Sequence, residues 1–218
     1  MKLTDLFLAD IEREAAPTRR VLERVPEGRN HWKPHEKSMP MGYLAALVAT
    51  IIGWIDMMVK QEGIDFNPPG GQKNKPKEMT TSRELVEALD ASVAKARQAL
   101  ANTTDEHLLT SWKYMVGGRV VGEQPRHIAI RDGVLNHLAR HRGQLTIYLR
   151  LNGVQVPSIY GPSADESTAD VVIGNWHCRL TLGQRSDVGF IFRTVSERPV
   201  LTTEHECAVL AAPRFRLV

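Results

Sequence analysis

The chain has 218 residues, 42% hydrophobic and 24% charged, with a formal net charge of +3. That is the balance of a soluble globular protein, one sizeable domain with an appendage or two small ones. Lysine and arginine are scattered among acids, which argues against nucleic-acid binding, and no uninterrupted apolar run approaches the roughly 18 residues of a membrane span. The stretch Met1–Asp5 reaches an acid at once, without a signal-peptide core. Cys178 and Cys207 make no disulfide framework, so a reducing, cytoplasmic setting is expected.

Leu3, Phe7, Leu8, Ile11, Ala15 and Leu22 recur at helical spacing, predicting a first helix capped by Thr4 or Asp5 and ending near Val25, before Pro26-Glu27-Gly28. A polar connector, Arg29–Ser38, follows. A second helix reads from about Pro40 to Lys60, apolar nearly all round and therefore packed on several sides. Residues 61–80, with Pro68-Pro69-Gly70-Gly71, read as a solvated crossover. Thr81-Ser82-Arg83-Glu84 is a capping box that opens a third helix, ending near Asn102 with Leu85, Leu89, Val93, Ala96 and Leu100 inward. Thr104-Asp105-Glu106 starts a short helical turn, and Trp112–Gly122 reads as an irregular arm around Gly117-Gly118.

The fourth helix is predicted over about Arg126–Leu151, from Pro125 to the terminating Gly153. Ile130, Val134, Leu138 and Leu145 form its apolar stripe. His137 and His141, four apart, project from one face beside that stripe. Two imidazoles so held can chelate one divalent cation such as zinc or nickel, although a packed, hydrogen-bonded pair has the same spacing. Arg140 and Arg142 flank His141 and are expected on a solvated face, with an anion-orienting role as the alternative. His31 and His107 are expected in solvent and His127 partly buried.

Four long amphipathic helices and one long crossover give an all-α, four-helix bundle over residues 1–166. Residues 167–218 read as a separate C-terminal extension, because no lysine lies beyond Glu166 whereas the first 113 residues hold all nine. Within it Val171–Ile173, Val188–Phe192 and Cys207–Leu210 read as strands, and His177-Cys178 with His205-Glu206-Cys207 fit no standard zinc spacing.

Several stretches carry a resemblance. They are Trp32–Met39, Trp112 with Gly117-Gly118, Pro125-Arg126, Asn136-His137 with His141–Leu145, Tyr148–Gly153, and Val156-Pro157 with Tyr160–Glu166. Together they resemble the DinB-like family, related to the YfiT-like metalloenzymes. The resemblance implies a four-helix bundle, often a homodimer, with a divalent metal held by three histidines. Two of these map onto His137 and His141. The third maps onto Leu47, where this chain has no ligand; His35 or Glu36 could substitute only if the connector folded over the helix ends. A catalytic zinc ion normally has three protein ligands plus water. The resemblance thus implies a metal-dependent hydrolase or thiol-dependent transferase acting on a small molecule, with a weakened site. The alternative is a non-catalytic helical dimer or stress-response module whose metal site has decayed.

Overall fold

The computed structural model describes residues 2–71 and 78–166. The extension and its expected strands and His/Cys pairs lie outside these residues.

The described chain is mostly helical. The first helix, α1 (Leu3–Leu22), buries Phe7, Ile11, Thr18, Val21 and Leu22 on one face. Neither Thr4 nor Asp5 caps it. Lys2 holds the cap position and offers no acceptor, and the Asp105 carboxylate accepts instead from the Leu3 N–H at 2.9 Å and the Thr4 N–H at 3.1 Å.

The second helical run is α2 (Met41–Thr50), a 3-10 turn at Ile51–Gly53, then α3 (Trp54–Lys60). By length and composition the run Met41–Lys60 is long and apolar enough to cross a membrane, contrary to the sequence expectation. Its apolar surface is accounted for internally: α2 packs against α1, the helix Ser82–Ala101 and the helix His137–Leu151, and α3 against Ser82–Ala101. The third run, α4 (Ser82–Ala101), opens on the expected capping box. There the Glu84 N–H donates to Thr81 Oγ1 at 3.2 Å, and the Thr81 N–H donates to Glu84 Oε2 at 3.1 Å. In the short α5 (Asp105–Leu109) Thr104 caps the His107 N–H. His107 is not solvated: it is half-buried, and its Nε2–H donates to the Val59 carbonyl at 2.8 Å.

The all-α expectation needs one correction, a three-stranded sheet. Here β1 (Gly63–Asp65) runs parallel to β2 (Ser111–Val116), and β2 pairs antiparallel with β3 (Arg119–Pro125). The supposed irregular arm is a hairpin. Its tip, Gly117-Gly118, has φ of +59° and +79°, the paired left-handed geometry that matches strand twist. Asp65 fixes the tip, its carboxylate accepting from the Gly117 N–H at 3.0 Å and the Gly118 N–H at 2.6 Å.

The last run is α6 (Arg126–Ile130), a π-helical turn at Arg131–Asn136, and α7 (His137–Leu151). The fully buried Arg126 donates to the Met58 and Gln61 carbonyls at the end of α3 and lies 5.4 Å from the Trp112 ring centroid. It ties the hairpin to the helices. Gly153 ends α7 at φ +74°, as expected.

Candidate metal centre

The π-helical turn widens the helix immediately before His137, a distortion that recurs at functional sites. Past it, His137, Arg140, His141 and Gln144 stand at i, i+3, i+4 and i+7, so they share one face of α7. His137 is half-buried and His141 only 5% exposed. Their Nε2 atoms are 2.7 Å apart.

The outer nitrogens decide what this contact can do. Gln144 Oε1 lies 2.7 Å from His141 Nδ1 and can only accept, so His141 carries its proton on Nδ1 and turns the Nε2 lone pair toward His137. With the His137 proton on Nε2, that N–H donates into the lone pair. The Gly133 carbonyl lies 3.3 Å from His137 Nδ1. If the His137 proton moves to Nδ1, Gly133 accepts it and both Nε2 lone pairs converge with neither ring changing charge. Carbonyl acceptors behind the outer nitrogens are the usual orienting partners of metal-binding histidines. Burial, first, holds His141 below the ordinary histidine range; the Gln144 hydrogen bond works against this, and the His137 and Arg140 charges act with it. At neutral pH His141 is therefore the neutral, ligand-competent form.

The second helical run supplies the wall. Trp54 meets His137 edge-on, with centroids 5.6 Å apart, while the Tyr148 OH donates to the Met39 carbonyl at 3.1 Å. The two contacts make α2–α3 and α7 antiparallel. Leu47, two turns before Trp54 or about 10 Å along the helix, thus lies within about a turn of the level of His141. It is a buried leucine, 8% exposed.

The donor set fits a two-imidazole chelate. A tetrahedral ion about 2.0–2.1 Å from each nitrogen needs them about 3.4 Å apart, a modest opening of the present pair. It does not fit a three-histidine site: among the described residues no three His, Cys, Asp or Glu side chains cluster to hold a metal. His35 is exposed, its Nδ1 accepting from the Lys37 N–H, and Glu36 is exposed as well; neither joins the pair. His31 is exposed and His127 half-buried, as expected.

The flanking arginines part company. Arg140 is exposed. Arg142, 1% exposed, is not on a solvated face at all. It donates to Glu14 Oε2 at 2.7 Å and Thr18 Oγ1 at 2.9 Å, both on α1, and to the Tyr160 OH of the 154–166 strap at 2.5 Å. Sequence reasoning missed Trp54 beside His137, although its spacing of seven from Leu47 puts both on one helix face. It also missed the Gly133 carbonyl, which no side-chain pattern announces.

The mostly helical fold with its small sheet places the chain in a class with known relatives. Residues 1–177 match the DinB family model, and the chain belongs to the DinB family. It is 24% identical over 164 residues to the uncharacterised protein YrdA of Bacillus subtilis (strain 168), covering 74% of this chain and 90% of that one. Two solved structures share the fold. A DinB-like protein of Bacillus cereus ATCC 10987 has a TM-score of 0.53 and 20% identity, with 68% of this chain and 92% of that one covered. The DinB-like protein YjoA of Bacillus subtilis also has a TM-score of 0.53, with 18% identity and 70% and 96% coverage.

Proposed function

We propose that this DinB-family chain is a metal-binding four-helix bundle in which His137 and His141 hold one divalent cation, zinc or nickel, as a two-point chelate. The observation that carries the reading is the arrangement of the outer nitrogens, where Gln144 Oε1 and the Gly133 carbonyl stand ready to accept both Nδ1 protons. A bound divalent cation supplies the charge that lowers the pKa of a coordinated water or thiol, the chemistry of a metal-dependent hydrolase or thiol transferase. The chain's own residues do the rest: Gln144 and Gly133 hold the rings, and Trp54 and the buried helices exclude water from one side. Exposed apolar residues on α7, Ile147 and Leu151 one turn apart, support a homodimer. The working location is the cytoplasm.

Leu47 favours a second reading, a non-catalytic helical module that has lost its third ligand. Elemental analysis of the dialysed full-length chain decides between them. Substoichiometric zinc or nickel that disappears in the His137→Ala/His141→Ala double variant supports the metal site. Equal metal content in both proteins refutes it.

A further inference from the structure

The helix that carries the histidine pair also carries three arginines, and they are not equivalent. Arg142 is buried against Glu14, and Arg150 pairs with Asp165 at 2.5 Å. Arg140 is exposed and makes no ion pair or side-chain hydrogen bond among the described residues. It stands one turn beyond His137 on the same helix face. The nearby Asp132 carboxylate is engaged by Asn136 Nδ2 at 2.9 Å.

The charge balance follows from the donor set. Two neutral imidazoles leave the full double charge of a bound cation uncompensated, because no carboxylate joins them. An unpaired guanidinium adds a third positive charge. The remaining positions then favour an anion over water or a neutral ligand. Of small anions, a carboxylate matches both halves of the site. One oxygen suits a hard or borderline cation, and the planar guanidinium fork matches carboxylate geometry in a way it does not match a thiolate.

Resting on the metal reading above, we infer that the ligand of this site is a small carboxylate, recognised through its charge by Arg140. Arg140 is the residue that selects the ligand, and Arg142 holds the helix in place.

The test uses the full-length chain loaded with Co²⁺ and reads the visible absorption of the ion as acetate or its neutral isostere acetamide is added. Acetate should change the spectrum saturably and acetamide should not. Arg140→Ala should weaken acetate binding about tenfold, the loss of a charge-assisted hydrogen-bonded contact, without lowering the Co²⁺ affinity, since the charge removed is positive. Arg140→Lys should fall between, keeping charge without the fork. Arg131→Ala, an exposed arginine on another face, should behave as wild type. Equal acetate binding by wild type and Arg140→Ala, or equal binding of acetate and acetamide, overturns the inference and leaves the metal reading standing. If no Co²⁺ spectrum develops at all, the metal reading fails and the inference falls with it.

Discussion

His141 and Arg142 are neighbours in sequence, both nearly inaccessible to water, and they turn to different sides of the same helix with opposite outcomes. On the side facing α1, both terminal nitrogens of the Arg142 guanidinium are saturated by the Glu14 carboxylate and carbonyl, the Thr18 hydroxyl and Tyr160. On the other side, His141 is fixed through Nδ1 so that Nε2 has only another imidazole to meet. One face spends its polar groups on holding the helix still. The other leaves donor capacity that nothing else in the fold needs. Burial alone does not separate structural from chemical polar residues; here the kind of partner does, since Arg142 meets only acceptors that suit a permanent cation, whereas His141 meets a second imidazole whose lone pair can turn to a metal ion.

Breaking the saturated face should therefore have the largest effect. Arg142→Ala leaves the Glu14 carboxylate, whose side chain is 14% exposed, without its cation. Removing one partner of such a pair costs about 3–5 kcal/mol. Denaturant unfolding should show a loss of that size, with no comparable loss in Arg140→Ala. A loss below about 1 kcal/mol would mean that water already screens the pair.

Adding a donor to the other face is the second intervention. Leu47→His places a polar ring at a buried apolar position within about a turn of the His141 level. With chelator present it should destabilise by about 2 kcal/mol or more. Zinc should offset that loss, because a ligand that binds only the folded state contributes about 2.7 kcal/mol at a hundredfold excess over Kd. The variant should thus melt below wild type with chelator and gain more from zinc. Equal zinc shifts in both proteins would show that position 47 does not face the pair.

The contrast between these faces was only half legible in the sequence. The helices were readable because burial in them follows the 3.6-residue period, and the Thr81–Glu84 capping box and Gly153 are local signals that need no tertiary context. The His137/His141 spacing was readable for the same reason. Arg140 and Arg142 looked alike, since nothing local tells which arginine will meet a glutamate 128 residues away. The α1 cap is equally invisible locally, because Asp105 supplies it across 102 residues. The hairpin does carry a local signal, since two adjacent glycines between Val116 and Arg119 are the signature of a two-residue turn as well as of an irregular arm. The π-helical turn leaves no mark in the side-chain pattern.

A third test addresses how the strap joins the saturated face. Burial pushes the Glu166 carboxyl up, but the Ser158 N–H and the Arg24 and Arg20 guanidinium groups outweigh it and hold the pKa at about 2, against 4.5 ordinarily. A folded-state pKa below the unfolded one means the ionised clasp stabilises fully above about pH 4.5, and that share is lost as pH falls toward about 2. Glu166→Gln should lower stability at neutral pH by about 1–3 kcal/mol and converge with wild type in acid. Parallel stability curves for the two proteins across that range would place the acid sensitivity elsewhere.

The smallest change in stability should come from Gln144, and it is the sharpest test of the unsaturated face. Its amide oxygen accepts the His141 Nδ1–H at 2.7 Å from a half-buried position, so Gln144→Ala removes one hydrogen bond at a cost of about 1 kcal/mol. The consequence for the ring is larger than that for the fold. Without Gln144, His141 is free to carry its proton on Nε2, where the proton blocks the lone pair a cation needs, and the ring can rotate. Loss of such an orienting partner typically lowers metal affinity about 10–100-fold. Competition of zinc against a chromophoric chelator should therefore show a drop of at least about tenfold in Gln144→Ala, with a midpoint of unfolding close to that of wild type when metal is absent. Gln144→Glu should keep or strengthen the affinity, because a carboxylate accepts the same Nδ1–H and raises ligand basicity. If both variants bind zinc as wild type does, the Nδ1 contact is packing alone, and the histidine pair belongs with Arg142 among the groups that only hold the helix.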